Sequence, residues 1–341
     1  MIPWLKRIIV YTLENHSFDQ LLGQYPGADG LPPDVSLPGP QGQTVSPFPL
    51  RWYSPAQLAN PNHSWEAVHE EWNHGAMDGF AIADGPDAMG YYPPERVAGF
   101  LELARQGRVL DHYFSSLLGP TFPNRLYLIS GGSQGLTENP PLFSSDTFDE
   151  PTVFDQLSGI NIDWRYYIGN FRPGCQFVAK QALFCPLLWF PRFQQEGLKR
   201  HLVPLWQFFH DVAHAALPRV SFLAPTLWGS GHPPIPIGAS LETCQAVYHA
   251  LKTAPGWDET ILIINFDEAG GFYDHISPPV VDAYGLGIRV PCLILGGRMT
   301  PGVVHDVFDH TSVLRMIEEQ FQLPLLGERT AMMASLESAL L

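Results

Sequence analysis

A short apolar run that ends in two adjacent acids constrains this chain more than any other feature. Residues 261–264 read Ile-Leu-Ile-Ile, which is typical of a strand buried on both faces of a sheet. Asp267 and Glu268 follow shortly after, and then the pair Gly270-Gly271. In open α/β sheets, ligands bind beyond the carboxyl ends of the strands. The paired acids therefore indicate a cation site or a proton-transfer site at such an edge.

Strand and helix patterns alternate along most of the chain. We predict strands over 6–13, 162–168, 220–223, 260–266 and 290–295, and helices over 95–107, 122–130, 203–217, 239–252 and 309–321. This alternation favours an α/β fold, with a mostly parallel central sheet and helices on both faces. The 341 residues contain no internal repeat and no clear linker. We expect a single domain over 1–341, with long loop insertions near 23–62 and 170–200.

The composition limits what the chain can bind and whether it can span a membrane. The formal net charge is −15, and a nucleic-acid partner is not expected because binding to its backbone requires an excess of Lys and Arg. No run reaches the ~20 apolar residues of a transmembrane helix. The first ten residues are too short for a secretory leader. We expect a cytoplasmic protein by default, or a secreted or periplasmic protein if a leader has been removed. The oligomeric state stays open.

A second predicted strand end carries polar side chains of the same kind. Glu14 and Asn15 directly follow the strand over 6–13. Because the carboxyl ends of parallel strands meet at one edge, we expect them close to Asp267 and Glu268. Carboxylate and carboxamide oxygens suit Ca²⁺, Mg²⁺ or Mn²⁺. Either pair alone could be a solvated strand end, but the two pairs together predict a metal site on a chain with few charges.

Thr121 and two histidines complete the candidate site. Thr121 opens a predicted helix, where backbone N–H groups favour an anion, and a metal ion beside its hydroxyl would create a nucleophile. The local sequence alone fits a plain N-cap threonine better. A histidine can protonate a leaving oxygen or hold a phosphoryl oxygen. His63 and His232 lie in loop-like segments and are candidates for that role, whereas most of the 13 histidines are expected to be structural.

Five blocks of the chain resemble a known family. Residues 14–19 read ENHSFD and resemble the ENRSFD motif of the bacterial phosphoesterases that include phospholipases C and an acid phosphatase. The further similar blocks follow in the family's order at 63–65 with 73–80, 111–114 with 119–125, 267–275 and 310–314. The resemblance implies an alkaline-phosphatase-like α/β fold and a single catalytic domain that hydrolyses phosphoric esters.

The resemblance also implies roles for individual residues. Thr121 would be the nucleophile that forms a phosphothreonine intermediate, and His63 and His232 would contact the phosphoryl group. One divalent ion (calcium, magnesium, manganese or zinc) would be held by Glu14, Asn15, Thr121, Asp267 and Glu268. The substrate would be a small-molecule or lipid phosphate ester, and the choice between a phosphomonoester and a phosphodiester stays open. A non-catalytic protein that binds a phosphate ligand on the same fold is the alternative.

Overall fold

An eight-stranded sheet forms the centre of the computed structural model, which describes residues 1–50, 60–141, 147–172 and 183–340. In chain order its strands are β1 (Arg7–Leu13), β2 (Arg108–Leu110), β3 (Trp164–Ile168), β4 (Leu202–Pro204), β5 (Val220–Ala224), β6 (Thr260–Phe266), β7 (Cys292–Gly296) and β8 (Gly302–Val304). Their spatial order is β8-β2-β7-β6-β1-β5-β3-β4. Strand β7 is antiparallel to its neighbours, and the other neighbours pair in parallel. The mostly parallel sheet predicted from the sequence is confirmed.

Helices cover the sheet. The α-helices of the described residues are α1 (Phe18–Leu22), α2 (Trp65–Trp72), α3 (Phe80–Ala83), α4 (Ala98–Ala104), α5 (Thr121–Ser130), α6 (Val153–Gly159), α7 (Glu196–Lys199), α8 (Trp206–Ala213), α9 (Gly238–Thr253), α10 (His310–Phe321) and α11 (Gly327–Met332). Every residue of β5 and β6 is buried, which requires cover on both faces of the sheet. The predicted α/β fold is therefore confirmed.

The loop insertion expected near 23–62 carries short strands of its own. Leu37–Pro38 pairs with Thr44–Val45, and Phe48–Pro49 pairs with Gly90–Tyr91. Residues 51–59 of this insertion, and 173–182 of the insertion expected near 170–200, lie outside the described residues. The division into one domain with two insertions stays a prediction.

The predicted helix over 203–217 is wrong at its start. Residues 202–204 form β4, which pairs in parallel with Tyr166–Ile168, and α8 begins at Trp206. The three-residue strands β2 and β8 were not predicted, because so short a segment carries no periodicity that a sequence could show. In these places sheet pairing between distant segments, and not local preference, decides the structure.

Glu318 in α10 provides a test of how burial affects stability. Its side chain is fully buried, Oε1 accepts a hydrogen bond from Leu326 N at 2.8 Å, and Oε2 has no hydrogen-bond partner in the part of the chain that the structure describes. Burial raises the pKa of this carboxyl to about 8. The unfolded chain releases the proton near pH 4.5, whereas the folded protein keeps it, so the free energy of unfolding falls as pH rises from 4.5 to 8.

We expect Glu318→Gln to remove that part of the pH dependence and to raise the free energy of unfolding at pH 8 by a few kcal/mol. Denaturant unfolding of both proteins near pH 5 and near pH 8 measures it. Identical pH dependence in the two proteins would contradict the prediction.

Candidate active site

The carboxyl ends of β1 and β6 bring the predicted acids to one edge of the sheet. The two strands pair in parallel with Leu13 opposite Phe266, and Asp267 N donates to Leu13 O at 3.1 Å. Asn15 has φ 58°, a left-handed conformation that asparagine tolerates, and its N–H lies 3.3 Å from Asp267 Oδ1. The structure thus places Glu14 and Asn15 beside Asp267, as the topology argument predicts.

A buried arginine joins two of these acids. Arg125, in α5, donates from Nη2 to Glu14 Oε1 and from Nε to Asp267 Oδ2, the latter at 3.0 Å. Its guanidinium also donates to Leu13 O at 3.2 Å and to Phe184 O at 3.1 Å. Sequence reasoning assigned Arg125 no role. It is the one charged residue in a helix whose every position is buried, and that burial is visible only in the structure.

The charges at this edge do not balance. Glu14, Asp267 and Glu268 are all buried, and Arg125 is the cation that contacts them among the described residues. Burial, and next the charge of Asp267, raise the pKa of Glu14 and of Glu268. Glu14 and Asp267 in turn raise the pKa of Arg125, although burial opposes this. When the three acids are ionised, Arg125 neutralises one of their three negative charges. One divalent cation would neutralise the two that remain.

Two buried oxygens at this edge lack partners. Asn15 Oδ1 and Glu268 Oε1 have no hydrogen-bond partner among the described residues. Glu268 Oε2 accepts from Gly270 N, and the Asn15 amide group lies 3.2 Å from His63 Nε2. His63 Nδ1 donates to Pro61 O at 3.0 Å, so Nε2 accepts from Asn15 and leaves Asn15 Oδ1 unpaired. The unpaired amide oxygen of Asn15 and the unpaired carboxylate oxygen of Glu268, together with Glu14, are the kind of oxygen ligands that a hard cation binds.

Thr121 does not cap its helix. It is the first residue of α5, the N-cap position is Pro120, and the Thr121 hydroxyl lies 3.4 Å from Glu14 Oε2, to which it donates. Asn139 Oδ1 accepts from Phe122 N at 2.7 Å and satisfies the helix N-terminus instead. The interpretation of Thr121 as a plain N-cap is therefore wrong, and its hydroxyl faces the acids.

His63 and His232 meet at the same place. Their ring centroids are 5.6 Å apart, and both rings line a cavity of about 320 Å³ together with Glu14 and Thr121. A volume of this size is typical of small-molecule sites, which span about 300–1,000 Å³. Part of the wall is apolar and is formed by Leu183, Phe184, Leu227 and Ile235. The four predicted residues thus share one cavity.

The loop that carries His232 is fastened to the end of β1. Glu14 N donates to Ser230 O at 3.0 Å, and His16 Nε2 donates to Gly231 O at 3.0 Å. Burial lowers the pKa of His16 to about 4, so this imidazole is neutral at physiological pH. His16 was not predicted as a functional residue, and its contacts give it a structural role.

A second cluster of acid and histidine lies apart from the cavity. The cluster consists of Asp19, Asp274 and His275, each of which offers one potential ligand atom, and these three atoms lie within 4.8 Å of one another. Arg289 already supplies a positive charge there, since it donates to Asp19 Oδ1 and to Asp274 Oδ1 at 3.0 Å each. His275 Nδ1 lies 2.6 Å from Asp19 Oδ2. The cluster therefore ties α1 to the loop after β6 without requiring a metal ion.

Acidic oxygens, a threonine hydroxyl and two histidines at the edge of an α/β sheet suit the hydrolysis of phosphoric esters. The Phosphoesterase family profile matches residues 5–324, and the chain belongs to that family. The prediction of an enzyme that hydrolyses phosphoric esters is confirmed.

Named relatives align over nearly the whole chain. Non-specific phospholipase C6 of Arabidopsis thaliana is 28% identical over an alignment 392 positions long, gaps included, that covers 98% of this chain and 71% of that protein. Phospholipase C B of Mycobacterium tuberculosis (strain ATCC 25618 / H37Rv) is 30% identical over 391 residues, which cover 94% of this chain and 74% of that protein.

Similarity of fold extends to proteins of distant sequence. A structure solved in work on the metabolism of multiple glycosaminoglycans by Bacteroides thetaiotaomicron aligns with 99% of this chain and 82% of that one, at TM-score 0.53 and 12% identity. The crystal structure of Ps i-CgsB aligns with 97% of this chain and 75% of that chain, at TM-score 0.51 and 10% identity. None of the described helices is long and apolar enough to span a membrane.

Proposed function

We propose that this chain hydrolyses phosphoric diesters through a phosphothreonine intermediate on Thr121. The observation that carries the proposal is the position of the Thr121 hydroxyl. It lies beside Glu14 in the cavity that His63 and His232 also line, and it makes no helix cap. A hydroxyl in that position is suited to attack a phosphorus atom bound in the cavity.

The same residues suit a divalent cation. Glu14, Asn15, Thr121, Asp267 and Glu268 would hold it, and the unpaired oxygens of Asn15 and Glu268 support this assignment. When bound, such an ion stabilises charge on a phosphoryl oxygen and lowers the pKa of a neighbouring hydroxyl. Because all the donor atoms named are oxygens, calcium, magnesium or manganese suit the site better than zinc.

The chain's own groups account for the proton transfers. Thr121 Oγ1 attacks phosphorus, and its proton passes to Glu14 Oε2, 3.4 Å away. The bond from phosphorus to the leaving oxygen breaks, and that oxygen takes a proton from the imidazolium form of His63 or His232. A water molecule then attacks phosphorus, gives a proton back to that histidine and displaces Thr121 Oγ1, which regains its proton from Glu14. The products are an alcohol and a phosphomonoester.

The apolar wall of the cavity suits a phosphate ester that carries an apolar organic group, and the names of the aligned relatives favour a diester. Leu183, Phe184, Leu227 and Ile235 stand in the same cavity as Thr121 and offer a surface for an organic group on the phosphate. The aligned relatives are named as phospholipases C, which agrees with a lipid or lipid-like diester. We therefore propose a substrate with an apolar group esterified to phosphate.

Hydrolysis of 4-nitrophenyl phosphocholine and of 4-nitrophenyl phosphate, each with and without a chelator, tests the proposal. We expect a higher kcat/KM for the diester than for the monoester. We also expect the chelator to abolish turnover and an added divalent cation to restore it. Equal or faster hydrolysis of the monoester would overturn the diester assignment. Full activity after removal of all divalent cations would overturn the metal assignment.

A further inference from the structure

Glu71 is a buried acid that the proposed reaction does not use. It lies in the last turn of α2, its side chain is fully buried, and neither carboxylate oxygen has a hydrogen-bond partner among the described residues. Burial disfavours its charge. The C-terminal end of a helix, which carries a partial negative charge, disfavours it further. An ionised Glu71 therefore requires a positive partner.

The neighbours of Glu71 are also acidic. Asp84 stands at the C-cap of α3, its Oδ1 accepts from Asn62 N at 2.6 Å, and its Oδ2 is buried without a partner. Burial, Asp84 and Glu268 all raise the pKa of Glu71. No Lys or Arg of the described residues forms an ion pair with Glu71 or Asp84.

Backbone atoms approach the pair closely. Gly271 has φ +75°, and a Cβ placed there would lie 3.2 Å from Glu71 Oε1 and 3.0 Å from Asn62 O. Glu71 Oε1 and Asn62 O therefore lie close to the same point. The carboxylates thus lie where α2, the end of α3 and the segments around Asn62 and Gly271 meet, with the Asn62 carbonyl oxygen nearby.

We propose that Glu71 and Asp84, with Asn62 O, form a second site for a hard divalent cation of the calcium type. All the ligand atoms are oxygens, and Glu71 offers both of its own, as calcium sites commonly require. A proton shared between the two acids would satisfy one oxygen of each and leave the second oxygen of Glu71 buried and unpaired. A cation bound by both oxygens of Glu71 and by Asp84 Oδ2 satisfies all three.

The site would hold in place the segment that carries His63. Asn62 precedes His63, its N–H donates to Asp84 Oδ1 at 2.6 Å, and its carbonyl oxygen lies near the same point as Glu71 Oε1. Glu268 is a neighbour of both sites, because its charge raises the pKa of Glu71 and its Oε1 lies 3.9 Å from His63 Nε2. The inference concerns metal content and does not depend on the proposed reaction.

The experiment counts bound calcium per chain in the full-length protein after equilibration with calcium chloride and removal of free metal. We expect Glu71→Gln to bind one calcium ion fewer than the wild type, and to lose part of the rise in Tm that calcium gives. Glu318→Gln is the matched control, because Glu318 is also a fully buried acid with an unpaired oxygen. It is expected to keep the wild-type calcium content and the wild-type rise in Tm.

Asp84→Asn repeats the measurement at a half-buried position, in case Glu71→Gln does not fold. It is expected to bind calcium at least tenfold more weakly at this site, or to lose one ion. If Glu71→Gln or Asp84→Asn folds with the calcium content and calcium-dependent Tm of the wild type, the site is overturned. The two acids then share a proton.

Discussion

Thr121→Ala is expected to lower kcat for an aryl phosphodiester by about 10⁴-fold or more, the scale of loss when an enzyme loses its nucleophile. The hydroxyl faces Glu14 Oε2 at 3.4 Å in the shared cavity and makes no hydrogen bond that caps α5. Asn139 satisfies Phe122 N in its place. We therefore expect the substitution to remove the reacting oxygen and to leave the Tm nearly unchanged.

Thr121→Ser is the control, because it keeps the hydroxyl and removes one methyl group. It should retain measurable turnover under conditions in which Thr121→Ala has none. Acid quenching during turnover of a substrate labelled in the phosphoryl group should leave label on Thr121 in the wild type and none in the alanine variant. Turnover of Thr121→Ala within tenfold of the wild type, with the fold intact, would contradict the nucleophile assignment.

The site could be located from sequence because its parts follow strands. Residues 260–266 were predicted as a strand and form β6, since the apolar run 261–264 is typical of a strand buried on both faces. Once β1 and β6 are parallel neighbours, the residues after them must meet at one edge. The topology rule and the two strand ends were sufficient to predict that Glu14 and Asp267 lie together.

The partners of those acids could not be predicted in the same way. Arg125 looks like one residue of an ordinary helical pattern, and its role depends on acids that lie 111 and 142 positions away. Glu71 looks like a solvated residue of a polar helix and becomes notable only because the fold buries it. In both cases, side-chain charge and local spacing give no information about burial, which tertiary packing decides.

Arg125→Gln is expected to lower the free energy of unfolding by about 3–5 kcal/mol, the cost of leaving a buried charge without its partner. The substitution removes the cation that contacts Glu14 and Asp267 in a fully buried setting. It also removes the donors to Leu13 O and Phe184 O. Denaturant unfolding in the presence of a chelator measures the loss with divalent cations absent.

Two comparisons separate charge from geometry at this position. Arg125→Lys keeps one positive charge but loses the planar fork that reaches two carboxylates, so we expect an intermediate loss. Combining Arg125→Gln with Asp267→Asn should cost less than the sum of the single changes, because the second change removes an acid that the first leaves unpaired. A loss below about 1 kcal/mol for Arg125→Gln would show that the acids are protonated in the folded protein. If a divalent cation binds Glu14 and Asp267, adding it should restore part of the stability of Arg125→Gln, because cation and guanidinium neutralise the same carboxylates.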